Sequence, residues 1–221
     1  MNGTIGEMLP VALGVAISPM PIIAVIVMLF GNRPVPRAVS FAVGWIIGVT
    51  AATGIAMLIA GPVDENASTP VWVAVVKLAF GVLFLFMAIK QWRGRPRGDE
   101  EPEMPGWMAA ADSMTPVKSA ALAALLGGVN PKNLALSMAA GTIIGSAGLP
   151  AGGAIGSLVV FVALASITVV GPVLAYLVAR KRIEGPLNSL RTWLIKNNAT
   201  VMTVVLLVLG VNVIGQGIGG F

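Results

Sequence analysis

Two short motifs set proline beside a hydrogen-bonding side chain deep inside apolar sequence, and one of them adds a cation. Ser18-Pro19-Met20-Pro21 interrupts the first apolar segment, and Asn130-Pro131-Lys132-Asn133 interrupts the fourth. Lys132 lies about 16 residues into a segment that opens near Pro116 and runs to about 144. At a rise of ~1.5 Å per residue that is near the middle of a ~30 Å hydrocarbon layer. Proline removes a backbone donor and clashes with the preceding turn, so each motif breaks a helix. New helix N-termini are expected near Ile22 and Leu134, with Ser18 and Asn130 as N-caps and Asn133 assisting. Each terminus carries free N–H groups and a partial positive charge of about one half, an arrangement that suits an anion. A lysine at the centre of a span costs roughly 2.5–3.5 kcal/mol on insertion scales, which calls for a partner or a function. No acidic residue lies in a span interior to pair with it. Phosphate, sulfate or carboxylate is the expected ligand. The structural alternatives are a packing kink, or a lysine bonded to carbonyls freed at a break.

The elements that must position these motifs are membrane spans. Of 221 residues 57% are hydrophobic and only 10% charged, with 27 Gly and 15 Pro, whereas a soluble domain carries roughly a quarter charged residues. Cys and His are both absent, which removes thiol chemistry, disulfides, His-ligated metal sites and most hydrolase triads. No cofactor is implied, and an enzyme is not expected. The net charge of +5 is confined to segment ends, so it reads as topology rather than nucleic-acid binding. Glu7 stands where a secretory leader would be basic, and the apolar run after it lacks a small-residue cleavage site, so the first segment is expected to stay as a span.

Apolar runs of spanning length cover approximately 5–30, 38–61, 71–89, 117–144, 150–179 and 199–217, six in all. The fold class expected is an all-α integral membrane protein whose helices one and four are broken at proline. Arg33 and Arg37, then Lys90, Arg93, Arg95, Arg97 and Lys118, then Arg180, Lys181, Arg182, Arg191 and Lys196 fall in three loops of one side. Asp64 and Glu65 lie on the other, and only Lys77 and Lys132 of the basic residues fall outside those loops. The positive-inside rule makes the basic loops cytoplasmic and both termini extracytoplasmic, in a cytoplasmic (inner) membrane. Lys77 is expected to snorkel to the outer interface.

Three spans before the central loop make the two halves antiparallel. A shift of 112 lays Ser18-Pro19 on Asn130-Pro131 and Ala42-Val43-Gly44 on Ala154-Ile155-Gly156. This is the pattern of an inverted repeat with its site at the midplane. The organisation expected is a first three-helix repeat over 1–91, a cytoplasmic linker over 92–116, and a second repeat over 117–221. An interfacial amphipathic helix is expected near 183–196, with Leu187, Leu190 and Leu194 on one face and Trp193 nearby. Divalent-metal transport and carboxylate-based proton coupling both lack an intramembrane carboxylate. Thr50, Thr53, Ser137, Thr142, Ser166 and Thr168 are available to line a cavity, or to bond back to their own helices, and Gly171-Pro172 marks a kink and candidate hinge. Asn212 and Gln216 fall late in the last span.

Leu13-Gly14-Val15-Ala16-Ile17-Ser18-Pro19-Met20-Pro21 and Gly127-Gly128-Val129-Asn130-Pro131-Lys132-Asn133-Leu134 resemble the motifs of the lysine exporter superfamily. Within it they look most similar to the actinobacterial GAP family, the peptidoglycolipid and sulfolipid addressing proteins of mycobacteria. The resemblance covers nearly the whole chain. It implies a membrane protein that assists export of cell-envelope glycolipids, with Ser18, Pro19, Pro21, Asn130, Pro131, Lys132 and Asn133 as substrate-site motifs. The function expected is a transporter or flippase for an anionic envelope lipid, its headgroup held by Lys132 and two half-helix N-termini. The alternatives are an exporter of small soluble metabolites such as amino acids, and a non-transporting accessory subunit. Partners expected are membrane lipids, with a homodimer or a larger lipid-export complex left open.

Overall fold

The computed structural model describes residues 2–31, 33–60, 71–95 and 114–219. Their regular structure is entirely helical, in seven helices: α1 (Asn2–Ala16), α2 (Pro19–Phe30), α3 (Pro34–Ala60), α4 (Val71–Arg93), α5 (Pro116–Gly128), α6 (Pro131–Ser146) and α7 (Ala151–Ile218). The expected placements of Asp64, Glu65, Arg97 and most of the central loop lie outside the described residues, as do the side chains of Lys77 and Gln216.

Proline sets most of the helix starts. Pro19, Pro34, Pro116 and Pro131 each open a helix, where a fixed φ is preorganised and a missing N–H costs nothing. Thr115 caps α5 by accepting from the Lys118 backbone N–H at 3.3 Å. Between α2 and α3 the chain turns through Arg33, a left-handed residue at φ 52°, which stores of order 1–2 kcal/mol of backbone strain. Gly148, at φ 59°, makes the corresponding turn between α6 and α7 without that cost.

The chain packs as two compact units, one holding α1, α2, α3, α5, α6 and residues 151–192 of α7, the other holding α4 and residues 193–218. In the first unit α3 runs along α5 and then α6, all in the same direction, through glycines that leave no room for a side chain. A Cβ on Gly44 or Gly48 would meet the carbonyls of Ala120 or Ala124, and one on Gly141 or Gly145 would meet those of Thr53 or Met57. From the α5 side, Gly128 would place a Cβ 2.8 Å from the Gly48 carbonyl. Gly44 and Gly48, like Gly141 and Gly145, have the small-xxx-small spacing that lets apolar helices approach backbone to backbone. Phe41 and Trp45 are buried on the same helix. A Cβ on Gly156, which the sequence shift pairs with Gly44, would meet nothing within 4 Å. The repeat at that position is therefore one of sequence and not of packing.

In the second unit α4 packs antiparallel on residues 193–218, with Gly81 against Ile214, Gly210 against Leu85 and Gly217 against Leu78. Arg95 stacks on Trp92 at 3.6 Å and donates to its carbonyl, closing the end of α4.

The outward faces are apolar. Leu58, Ile59, Val117 and Val178 are largely exposed, and so are Ile47, Ile55 and Ile167. Helices that are apolar outside and packed through glycine inside belong in lipid. By length and apolarity, α3 and α7 can each cross a membrane, and α1 with α2, bent by 54° at the break between them, make a third candidate, as a broken span or a re-entrant loop. The protein is a membrane protein.

At 68 residues α7 is far longer than one crossing, and its backbone breaks at Ala179 (φ −139°, ψ 41°). The helix passes through Gly171-Pro172 without leaving helical φ/ψ, so the interruption falls about two turns later than the expected hinge. Arg180 bridges the break, 3.0 Å from Glu184 and 5.2 Å over the Tyr176 ring. Of the expected amphipathic stretch, Leu187 and Leu194 are buried while Leu190 is 40% exposed and Trp193 54% exposed. The buried stripe is thus narrower than the spacing of the three leucines suggests.

Replacing Gly48 by Leu is expected to lower the thermal midpoint in detergent sharply, since overpacking costs about 1–3 kcal/mol even where side chains can shift and here the obstacle is backbone. Gly156→Leu should leave the midpoint within error, and equal losses in the two variants would rule out the α3–α5 contact described.

Candidate functional site

Breaking the first span orphans a defined set of carbonyls. In a continuous helix the N–H groups of residues 18 to 21 would serve the carbonyls of residues 14 to 17. Pro19 and Pro21 have no N–H, so Val15 and Ile17 lose their helical donors outright. Ser18 adopts an extended backbone (φ −119°, ψ 97°) and turns its N–H to the Ala16 carbonyl at 2.9 Å, which also releases Gly14. Three orphaned acceptors in the buried interior of a membrane protein must then find partners inside the protein.

Lys132 supplies most of them. Its Nζ donates to the Gly14 carbonyl at 2.9 Å, to the Ile17 carbonyl at 3.1 Å and to Ser18 Oγ at 2.7 Å. An ammonium has three protons, and all three are engaged. The Ser18 hydroxyl has one proton, which serves the Val15 carbonyl at 2.7 Å or Asn133 Oδ1 at 3.0 Å. Thr168 reaches across from α7 and donates its hydroxyl to the Ala16 carbonyl at 2.7 Å. The end of α1 is thereby closed by one lysine, one serine and one threonine.

The second break is closed from the same turn of α6. Asn130 caps α6 by accepting the Lys132 backbone N–H at 3.1 Å, as expected of an N-cap. Ser18 does not cap α2 and instead points back to α1. Asn133 donates Nδ2 to the Leu126 carbonyl of α5 at 2.9 Å, a bond that fixes its amide orientation. Consecutive residues at the start of α6 thus seal the C-terminal ends of both preceding half-helices.

Magnitudes decide what this arrangement needs. Hydrogen bonds to a charged group contribute roughly 1.5–3 kcal/mol each, and a cation at a helix C-terminus gains up to ~2 kcal/mol from the dipole in partly buried geometry. Together these offset the ~3 kcal/mol insertion cost of a central lysine. Lys132, only 2% exposed, is stable as a protein cross-link without any bound anion. Its partners are all neutral oxygens, so none of them offsets the charge of its ammonium form. Among the described residues the only carboxylates are Glu7 and Glu184, and neither contacts it. The helix N-termini offer less than the sequence promises. Pro19, Pro21 and Pro131 lack donors, and the Lys132 N–H is taken by Asn130.

The structure brings Ser18, Lys132, Asn133 and Thr168 together. Pro19 and Pro21 are buried beside them, Asn130 is half-buried and Pro131 is exposed. Ser137 and Ser166 are buried with hydroxyls that lack a partner, and so is Thr53. Thr50 is half-buried, and Thr142 bonds back to the Met138 carbonyl of its own helix. Gly14 and Leu126, acceptors through their carbonyls, carry no side-chain signal in the sequence. The signal that could have found them is the count of carbonyls that each break must orphan.

A family model described as Sap, sulfolipid-1-addressing protein, matches residues 8–219. The match covers most of the chain, and the chain belongs to that family. Comparison with curated proteins and comparison with solved structures each gave no match.

Three substitutions should rank in order of thermal stability in detergent. Thr168→Val should cost about 1 kcal/mol, since the Ala16 carbonyl keeps the Ser18 N–H. Ser18→Ala should cost about 1–3 kcal/mol by orphaning Val15, and Lys132→Met more than either, since it orphans two carbonyls at once. A Lys132→Met protein as stable as wild type would show that these bonds do not hold the joint.

Proposed function

We propose that this member of the sulfolipid-1-addressing family exports an anionic envelope lipid across the cytoplasmic membrane, by alternating access of two inverted three-helix halves. The observation that carries the reading is a buried, fully hydrogen-bonded lysine whose charge no carboxylate among the described residues neutralises. Such a site attracts an anionic headgroup by field alone, while acyl chains remain in lipid beside the apolar outer faces. Sulfate or phosphate matches that field, and the family's own description names a sulfolipid. The parallel course of α3 and α5–α6 supports an inverted topology, because two parallel spans need an odd number of crossings between them. We place both termini outside, with the basic loops cytoplasmic.

For a headgroup to touch Lys132, one of its three oxygens must let go. The Ile17 carbonyl is the weakest hold, at 3.1 Å and only part-buried, and the Ile17 side chain is itself exposed. Headgroup exchange at this carbonyl would couple binding to movement of α1 against α6, where the two breaks meet. A second reading has its own support. Because every proton of Lys132 is already used, the lysine can be wholly structural and the chain an accessory subunit of a lipid-export complex. On neither reading do we propose an enzymatic role, since the sequence has no Cys or His.

Reconstituted protein should accelerate transbilayer movement of a sulfated glycolipid over its desulfated analogue, and Lys132→Met incorporated at the same level should abolish the difference. Movement of neither lipid, with purified wild-type protein correctly inserted, would favour the accessory subunit.

A further inference from the structure

The oxygens around Lys132 have the composition of an ion site rather than of a salt bridge. Gly14 O, Ile17 O and Ser18 Oγ converge on one point at 2.9, 3.1 and 2.7 Å. All are neutral, and two are carbonyls at the C-terminal end of a broken helix. In transporters with discontinuous spans, unwound carbonyls and half-helix C-termini are what coordinate monovalent cations. Carbonyl oxygens alone can also replace the hydration shell of potassium. A divalent ion would want carboxylates, and none is present here among the described residues.

The oxygens are held by bonds that do not involve the lysine. Ile17 N–H bonds Leu13 O at 2.8 Å, Ser18 N–H bonds Ala16 O at 2.9 Å, and Thr168 Oγ donates to Ala16 O at 2.7 Å. Ser18 Oγ is tied to Val15 O at 2.7 Å. The turn carrying the acceptors is therefore braced from both sides of the position that Nζ fills.

We propose that the end of α1 is a monovalent-cation site whose resident cation is the tethered ammonium of Lys132, so that the joint between the broken spans needs no free sodium or potassium. Shortening the side chain opens the site to a small cation from solution. The inference rests on the geometry at α1. Only its consequence, that export needs no sodium or potassium at this joint, rests on the transport reading above.

The test uses the full chain purified in detergent, as wild type, Lys132→Ala and Lys132→Met. Thermal midpoints are read in ammonium, methylammonium, potassium, sodium and N-methylglucamine chloride at one ionic strength. Wild type should be indifferent to the cation. Lys132→Ala should recover most of its lost midpoint, saturably, in at least one small cation and none in N-methylglucamine. Lys132→Met, whose chain fills the space without charge, should not respond. The proposal is overturned if Lys132→Ala melts alike in all five salts, if it stays aggregated in every one, or if wild type or Lys132→Met responds as it does. Because the readout is stability, a failed lipid-movement assay leaves this result standing, and a flat salt series leaves lipid movement untouched.

Discussion

A backbone carbonyl cannot be left without a donor inside a bilayer, and this membrane protein breaks the helix of its first apolar segment. Pro19 and Pro21 strip donors from Val15 and Ile17, and the extended Ser18 releases Gly14. Everything at the site follows from answering those three acceptors. Lys132 answers two and bonds to the serine that answers the third, while Thr168 reinforces the neighbouring Ala16 carbonyl. A buried lysine is thus less an anomaly than the complement of a defect elsewhere in the chain.

Lys132 can reach α1 only if the start of α6 is placed accurately, and glycine contacts along α3 do that. Gly44, Gly48, Gly141 and Gly145 bring α3 against α5 and α6 at backbone distance. With no side chains between them the helices have little freedom to slide, because any shift drives a Cα into a carbonyl. The register of α3 fixes both α5 and α6, hence both sides of the second break, hence the turn that carries Lys132 and Asn133. In lipid there is no hydrophobic drive to hold helices together, so this close packing takes the part that core burial plays in water.

Both helix breaks, the residues that form them and the capping role of Asn130 are legible in the sequence, because proline acts on its own backbone. Ser18 departs from its expected role as an N-cap for a related reason. It has the right residue type and position, but the broken end behind it makes a stronger demand than the new start ahead of it. Leu190 looks equivalent to Leu187 and Leu194 by spacing and is exposed, since periodicity gives a face and not what covers it. The interruption of α7 at Ala179 has no proline or glycine to announce it and falls where the fifth apolar run ends before Arg180-Lys181-Arg182, while Gly171-Pro172, which has both, stays helical.

The sequence by itself determined that the protein belongs in a membrane, where its first and fourth apolar segments break, and that one cation is buried without a nearby acid. These follow from composition and from local backbone chemistry. Only the tertiary structure decided that the cation belongs to the carbonyls of a helix more than a hundred residues away in the chain, Gly14 and Ile17 lying 118 and 115 positions from Lys132. A hydrogen bond is decided within about 3 Å, and sequence separation carries no information on that scale until packing has brought the two breaks together.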